Sequence, residues 1–157
     1  MKDLSINILN GKDGGAISAM LKANSAEYQH YFYPFSFEEQ EIVNILERAQ
    51  KDKYWGIWKD RQLAAFFMLR GFDEGYDIPA YGICVAETEK GNGLLKLSLQ
   101  FVFTWCKLYS VPNLMLKVHP DNFVAKETYE KFGFSSTGVD TKNQNIIYSM
   151  HFDKFKR

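Results

Sequence analysis

The middle of the chain holds three runs rich in aromatic and branched apolar residues, separated by short polar turns. The runs cover residues 54–58, 63–71 and 79–86, and the sequences Lys-Asp and Phe-Asp-Glu-Gly-Tyr-Asp lie between them. Short turns between β-forming runs favour strands that are neighbours in space. The pattern therefore predicts an antiparallel meander of three strands.

Two segments have helical spacing instead. Over residues 93–109 polar side chains recur every three or four positions in a mostly apolar segment, which predicts a helix buried over most of its circumference; the polar positions are Lys96, Gln100, Thr104 and Lys107. Over residues 37–51 one apolar stripe predicts a second helix, beginning at the capping-box spacing of Ser36 and Glu39. That stripe contains Ile42, Ile45, Leu46 and Ala49.

The remaining segments complete the order of elements. The patterns predict strands at 4–9, 113–119, FSSTGV and NIIYSMHF, a short helix at AISAMLKA, and a helix at 122–132 that Asp121 or Asn122 caps and Gly133 ends. A strand, a helix and a strand in succession over 79–119 require a parallel pair. The predicted fold class is α/β, with a mixed, mostly antiparallel sheet, one parallel strand pair and helices on both faces.

Composition and charge narrow the classes of function. The chain has 157 residues, 46% of them hydrophobic, which fits a single globular domain over residues 1–157. Its 19 basic and 19 acidic side chains cancel. Duplex-binding proteins usually carry a basic surplus, so we expect no nucleic-acid partner.

The cysteines and the N-terminal segment bear on redox chemistry and location. Cys84 and Cys106 each lie in an apolar run, so we interpret both as buried, unreactive thiols with neither a disulfide nor a metal. The first residues lack the apolar core of a signal peptide, and no apolar run approaches the length of a membrane span. The sequence therefore predicts a soluble cytoplasmic protein with no membrane partner.

A Gly-Asn-Gly loop joins the strand 79–86 to the helix 93–109. The first amides of a helix have no intrahelical partner, and glycine lets an anion approach the backbone, so the loop can bind phosphate. A simple turn is the alternative. A Walker loop has four residues between its glycines, followed by Lys and then Ser or Thr. This loop has neither feature, so a Walker loop is excluded. A dinucleotide loop is excluded because it needs a third glycine and an acidic residue ending the next strand.

A second motif, Asn-x-x-Ala-x-x-x-Tyr-x-Lys-x-Gly-Phe, covers residues 122–134. Together with ICVAETEKGNGLL it resembles the GCN5-related N-acetyltransferase (GNAT) superfamily over about residues 79–134. The resemblance implies a GNAT-like acyl-CoA N-acyltransferase fold and acetyl-coenzyme A as cosubstrate, with no metal; homodimers are common in that family. Lys90 stands where the family has Arg or Gln, and Leu95 stands where it has a small residue.

The resemblance implies roles for individual residues. The main chain of Ile83, Cys84 and Val85 would pair with the pantetheine arm as an added strand does, and Asn122 would contact the same arm. Tyr129 would protonate the leaving thiolate. The pyrophosphate would lie on the loop formed by Lys90, Gly91, Asn92, Gly93, Leu94, Leu95 and Lys96. A core tyrosine and a plain helix cap are the alternatives for Tyr129 and Asn122.

The general base stays open. Ribosomal-protein members of the family carry a glutamate five residues before the Asn, where this chain has Lys117, which weakens the case for a protein α-amine as acceptor. His119 ends the same strand, and histidine is the residue type suited to act as a base near neutral pH, so it is the candidate base, with a solvated strand-end histidine as the alternative. The other candidates are Asp77, Glu87, Tyr81 and a water molecule.

The acceptor side is expected in three places: the aromatic segment 27–35, Trp55 or Trp58, and the turn 70–79. Exposed aromatic rings would stack on a sugar or a base, although core packing is the commoner use of such rings. In the turn, Asp73, Glu74 or Asp77 would attract an ammonium group. The patterns LRGFDEGYDIP and LKVHPDN resemble acetyltransferases of surface-polysaccharide pathways. They imply a small-molecule amine, with an amino sugar first; a protein amine and a non-catalytic CoA sensor are the alternatives.

Overall fold

The computed structural model of the protein describes residues 3–31 and 35–153. Within these residues the chain forms seven strands and five α-helices. The strands are β1 (Leu4–Ile8), β2 (Lys53–Lys59), β3 (Gln62–Arg70), β4 (Ala80–Val85), β5 (Asn113–Val118), β6 (Ser135–Val139) and β7 (Ile146–His151). The helices are α1 (Gly14–Ala23), α2 (Ala26–Gln29), α3 (Glu39–Arg48), α4 (Leu94–Leu108) and α5 (Phe123–Lys131).

All seven strands belong to one sheet, in the order β1-β2-β3-β4-β5-β7-β6. The segment β2-β3-β4 is the predicted antiparallel meander. The strands β4 and β5 are parallel, as the crossover through α4 requires, and the other neighbours are antiparallel. The predicted fold class is confirmed.

The central strand β3 is buried on both faces, which explains its uninterrupted apolar sequence. Ala65, Phe67 and Leu69 pack with α4 and α5 on one face. Phe66 and Met68 pack with α1 and α3 on the other. Because side chains alternate along a strand, one apolar run supplies both cores. We call these two sides of the sheet the α4 face and the α1 face.

The helices follow the predicted patterns except at two points. The four polar positions of α4 are exposed, and Ile42 and Leu46 of α3 are buried, as expected. The capping box at Ser36 was wrong: α3 begins at Glu39 after Glu38, which makes no side-chain cap, and the Ser36 hydroxyl accepts only the Glu38 amide at 3.2 Å. The one-turn helix α2 was not predicted.

The ends of α5 are as expected. The Asn122 side chain caps its first turn, and Gly133 follows it with φ of +103°, a conformation that glycine adopts without strain. In the part of the chain that the structure describes, no helix has both the length and the apolarity that crossing a bilayer requires.

Candidate functional site

The strands β4 and β5 separate almost as soon as they meet. Across the described residues their register contains one pair, Ala80 with Met115, and the Met115 amide donates to the Pro79 carbonyl at 3.1 Å. Beyond this pair the two strands diverge towards their carboxyl ends. The sheet therefore has an open wedge between Val85 and Val118, bounded by the main-chain groups of two strands.

The hydrogen bonds of β4 identify the main-chain groups that face this wedge. The Ala86 amide donates to the Ala64 carbonyl of the neighbouring strand β3, at 2.8 Å. Successive residues of a strand direct their amides to opposite neighbours, so Cys84 also faces β3, while Ile83 and Val85 face the wedge. An extended ligand arm in the wedge would thus pair with Ile83 and Val85. Of the three residues expected there, Cys84 has its main chain turned away.

The Cys84 side chain packs on the α1 face, where the Asn24 amide donates to its sulfur at 3.8 Å. Burial raises the pKa of the Cys84 thiol to about 12, and burial does the same for Cys106. Both thiols are free and buried, as predicted, and are protonated at neutral pH.

The glycine loop lies at the carboxyl end of β4 and leads into α4. Gly91 and Gly93 both have φ of +83°, and a side chain at either position would meet open space. The two glycines are therefore required by backbone conformation and leave the loop surface clear. Gly93 is the N-cap of α4 and makes no side-chain cap, and the first intrahelical bond runs from the Leu97 amide to the Gly93 carbonyl. The amides from Gly93 to Lys96 thus have no intrahelical acceptor.

Side chains hold this loop in shape. The Glu89 carboxylate pairs with the Lys59 ammonium at 2.8 Å, and it accepts the Asn92 side-chain amide at 2.9 Å. The Lys90 and Lys96 side chains are exposed on either side of the glycines. The loop is a prearranged set of amides flanked by two cations, which suits a pyrophosphate.

Leu94 and Leu95 begin α4 with their side chains in the α4-face core. Leu94 is buried, and the half-buried Leu95 packs against the same cluster. Leu95 replaces a small residue of the family pattern, and its packing keeps that bulk among the core residues. Only the amides of these two residues are left for an anion.

Asn122 lies across the wedge from the loop, at the start of α5. Its Oδ1 accepts the Ala125 amide at 3.4 Å, so it is a helix cap. The cap uses Oδ1, and the side-chain NH2 is a separate donor for a ligand arm. Both roles that the sequence suggested are compatible in this geometry.

Tyr129 is on the inner side of α5, close to β4. It is 6% exposed, and its ring lies 6.3 Å from that of Tyr81 and 5.7 Å from that of Phe134. Burial raises the pKa of the Tyr129 phenol well above its ordinary value near 10. The group is therefore a protonated donor at neutral pH, next to the strand whose amides face the wedge.

Tyr81 is not suited to be a base. Its hydroxyl is bonded to the Ser98 hydroxyl, which donates to the Leu95 carbonyl at 2.8 Å. Because serine has one hydroxyl proton, Tyr81 must be the donor in the first bond. Burial also raises the pKa of Tyr81 well above its ordinary value. This chain of hydroxyls ties β4 to the first turn of α4.

His119 follows β5 at the mouth of the wedge, as expected. Its Nδ1 accepts the Asp121 amide at 3.1 Å, so the neutral ring carries its proton on Nε2. In this arrangement Nε2 is a donor, and the basic nitrogen is already used. Glu87 is also occupied, because the Ser25 amide and hydroxyl donate to its carboxylate at 2.8 and 2.9 Å and hold its pKa below the usual range.

Trp55 and the turn 70–79, two of the expected acceptor contacts, lie away from the wedge. Trp55 is 4% exposed and packs on the α4 face against Phe67, Phe101 and Trp105. The turn 70–79 lies at the amino end of β4, where the strands are paired and not open.

The acidic residues of that turn are therefore placed away from the wedge. Asp73 accepts the main-chain amides of Gln50, Lys51 and Asp52, and thus fastens two turns together. Glu74 and Asp77 are exposed at the same end of the strand. Trp58 is half-buried against the α1-face core.

The aromatic segment 27–35 is partly at the wedge. Residues 32–34 lie outside the described residues. The ring of His30 lies 4.5 Å, and that of Tyr31 5.5 Å, from the ring of His119. Residues 24–31, which we call the strap, thus run on the α1 face from the end of β4 to the end of β5. No local pattern predicts this path, because the contacts that define it join residues more than 60 positions apart in the chain.

No group of three or more metal-ligating side chains lies together within 3–31 and 35–153. The donors at the wedge are instead amides, hydroxyls and ammonium groups. They suit an organic anion with an extended arm.

Comparisons with known proteins agree with this geometry. The sequence profile of the acetyltransferase (GNAT) family matches residues 17–134. No curated protein sequence matches the chain.

Among solved structures, the chain is similar to the ribosomal-protein-S5-alanine acetyltransferase from Vibrio fischeri, with a TM-score of 0.81, 13% identity and 100% of both chains covered. It is similar to the ribosomal-protein-S18-alanine N-acetyltransferase from Escherichia coli, with a TM-score of 0.75, 19% identity, and 95% of this chain and 94% of that chain covered. It is also similar to the PaiA N-acetyltransferase from Thermoplasma acidophilum in complex with coenzyme A, with a TM-score of 0.76, 17% identity, and 96% and 99% covered. At these identities the likeness shows a shared fold.

Proposed function

The chain belongs to the acetyltransferase (GNAT) family, and we propose that it moves acetyl from acetyl-coenzyme A to a primary amine on a small molecule, with an amino sugar as the first acceptor to test. The observation that carries the proposal is the open wedge between β4 and β5, next to the uncapped start of α4. The wedge offers two strand amides to an extended thioester arm, and the loop offers its amides to the phosphates.

The loop and the strand have separate tasks in binding. The amides from Gly93 to Lys96 and the two lysines receive the pyrophosphate, since a helix N-terminus favours anions. The main chain of Ile83 and Val85 pairs with the arm, and Asn122 holds it from the side of α5. Binding at both ends fixes the thioester carbonyl with respect to β4.

The transfer itself requires a neutral amine to attack the thioester carbon, with the C–N bond forming and the C–S bond breaking. Negative charge develops first on the carbonyl oxygen, and an amide of β4 that faces the wedge can stabilise it. Charge then moves to the sulfur, and the Tyr129 hydroxyl donates a hydrogen bond there. The amine loses its proton to a base. Glu87, Tyr81 and the Nδ1 of His119 already have hydrogen-bond partners, so water is the candidate base at the wedge, with His119 beside it as a donor.

The small-molecule assignment is supported by the end of β5. By the family pattern, ribosomal-protein members carry a glutamate five residues before the Asn, and that position is Lys117 in this chain. The Lys117 ammonium pairs here with Asp140 at 2.9 Å, so this position supplies a paired cation and no carboxylate.

A protein α-amine is the second candidate. It is favoured by the names of the similar structures, two of which are ribosomal-protein-alanine acetyltransferases. A CoA-binding protein without turnover is the third, and it is favoured by the hydrogen bonds that already occupy Glu87, Tyr81 and the Nδ1 of His119.

One experiment separates the three. Purified protein is given acetyl-coenzyme A with glucosamine, a nucleotide-linked amino sugar, a polyamine or an alanine-initiated peptide, and free thiol and acetylated product are measured. We expect product with an amino sugar. Product with the peptide alone would show that the acceptor is a protein amine and not a small molecule. Tight CoA binding with no product on any amine would identify a sensor.

A further inference from the structure

The strap, residues 24–31, spans the wedge on the α1 face, opposite to α4 and α5. It contains the short helix α2, and its own contacts stiffen it. The Gln29 side chain donates to the carbonyls of Leu21 and Asn24, at 3.2 and 2.7 Å. The Ser25 hydroxyl accepts the Tyr28 amide at 3.2 Å. The strap is therefore a preformed unit whose position depends on its two ends.

The first end is anchored by one residue, Glu87. Its carboxylate accepts both the amide and the hydroxyl of Ser25, and its own amide donates to the Asn24 side chain at 3.0 Å. Asn24 is 6% exposed, so this end of the strap reaches into the protein. Glu87 is the second residue after β4 and begins the segment that leads to Gly91 and Gly93. The same short segment thus carries the strap anchor and the phosphate loop.

The second end of the strap lies on β5. His30 and Tyr31 place their rings against His119, at centroid distances of 4.5 and 5.5 Å. His119 presents Nε2–H, and the His30 and Tyr31 side chains are exposed beside it. An amine that approaches the wedge from the α1 face would meet this group of donors and rings.

We propose that Glu87 is a positioning residue of acetyl transfer: by anchoring the strap to the segment before the phosphate loop, it holds His30 and Tyr31 beside His119, where the acceptor binds. The inference rests on the proposed function, and it places the acceptor on the α1 face of the wedge. The role of Glu87 is to accept hydrogen bonds. It is not a base, since both bonds from Ser25 keep it ionised and weakly basic.

Two variants of Glu87 distinguish these roles. Glu87→Ala removes the two bonds from Ser25 to the carboxylate and keeps the main-chain bond to Asn24. Glu87→Gln keeps the size and can still accept the Ser25 amide and donate to the Ser25 hydroxyl, but it has no basic oxygen. If Glu87 is a positioning residue, Glu87→Gln should keep the activity that Glu87→Ala loses. If Glu87 is a base, both variants should lose activity. Glu74→Ala, at the other end of β4, is the matched control.

Amide hydrogen exchange of residues 25–31 is measured first, because it needs no acceptor. We expect exchange there to accelerate roughly tenfold in Glu87→Ala, to stay within about threefold of wild type in Glu87→Gln, and to be unchanged in Glu74→Ala. Coenzyme A affinity should stay within about twofold in all three variants, since the loop amides are retained. Unchanged strap exchange in Glu87→Ala would overturn the proposal.

Kinetics with the amine that the wild type acetylates completes the test. The acceptor KM should rise roughly fivefold or more in Glu87→Ala and recover in Glu87→Gln, with the KM for acetyl-coenzyme A little changed. Glu87→Gln as inactive as Glu87→Ala would contradict the positioning role. If the wild type binds coenzyme A and acetylates no amine, the proposed function fails, and the exchange measurement still decides whether Glu87 anchors the strap.

Discussion

Tyr129 has its protonation state fixed by its surroundings. The phenol is enclosed by the rings of Tyr81, Phe134 and Tyr148, and burial raises its pKa, so it keeps its proton throughout the neutral range. A thiol ionises near pH 8.5, so complete proton transfer from Tyr129 to a thiolate would be uphill. At the residue scale its contribution is therefore a hydrogen bond to the sulfur as charge develops there.

The substitution Tyr129→Phe removes that donor and keeps the ring. We expect kcat to fall on the order of 100-fold, as for loss of one donor to a developing charge, while coenzyme A affinity stays nearly constant. Steady-state kinetics and calorimetry give the two values. Tyr148→Phe is the control, because Tyr148 is also buried and its hydroxyl donates to Glu130 at 3.0 Å. Equal losses in both variants would make Tyr129 a core residue only.

At the scale of elements, the sheet depends on contacts that connect its turns. Asp73, between β3 and β4, accepts three amides from the turn between α3 and β2, and the Asp73 amide donates back to Asp52 at 3.1 Å. These backbone hydrogen bonds, from Lys51 first, lower the pKa of Asp73. The residue expected to bind substrate thus stabilises the fold at the far end of β4.

Because the pKa of Asp73 is lowered in the folded state, its contribution to stability depends on pH in a defined direction. A carboxylate with a lower pKa in the folded state stabilises above its unfolded pKa, about 3.9, and this contribution is lost as the pH falls through the folded value. Asp73→Asn should therefore lower the Tm at pH 7, and the difference from wild type should shrink below about pH 4. Thermal unfolding followed by circular dichroism measures both.

Asp77→Asn is the control for this prediction, since Asp77 is an exposed carboxylate of the same turn. A difference in Tm that does not depend on pH would show that the ionised form of Asp73 is not what matters.

The elements themselves were largely predictable because each has a local cause. The apolar runs between short polar turns and the polar spacing of α4 located β2, β3, β4 and α4 to within about two residues. The capping box failed because the Ser36 hydroxyl bonds to the Glu38 amide before the helix begins. Helix α2 was missed because its position depends on Glu87, far away in the chain.

At the scale of the whole molecule, the site exists because one parallel pair interrupts an antiparallel sheet. The crossover through α4 brings β5 beside β4, and the strands pair once before they diverge. The motifs at 91–93 and 122–134 were recognisable because glycine conformation and a helix cap leave local signatures. The acceptor side was not, because the strap, Trp55 and Asp73 are placed by tertiary contacts that no spacing reveals.

The glycine loop offers the most direct test of the central claim, that coenzyme A binds between β4 and β5 with its pyrophosphate on the start of α4. Gly93 and Gly75 both have positive φ, of +83° and +92°, and a side chain at either position would meet open space. Gly93→Asp and Gly75→Asp should each cost about 1 kcal/mol of stability from the backbone. Only the first places a carboxylate at the phosphate loop.

The measurement is the Kd of coenzyme A by titration calorimetry for the wild type and both variants. Repulsion between the carboxylate and the pyrophosphate predicts that Gly93→Asp weakens binding roughly tenfold or more, and that Gly75→Asp binds as the wild type does. Equal affinity in Gly93→Asp and Gly75→Asp, or a wild type that does not bind coenzyme A, would contradict the account.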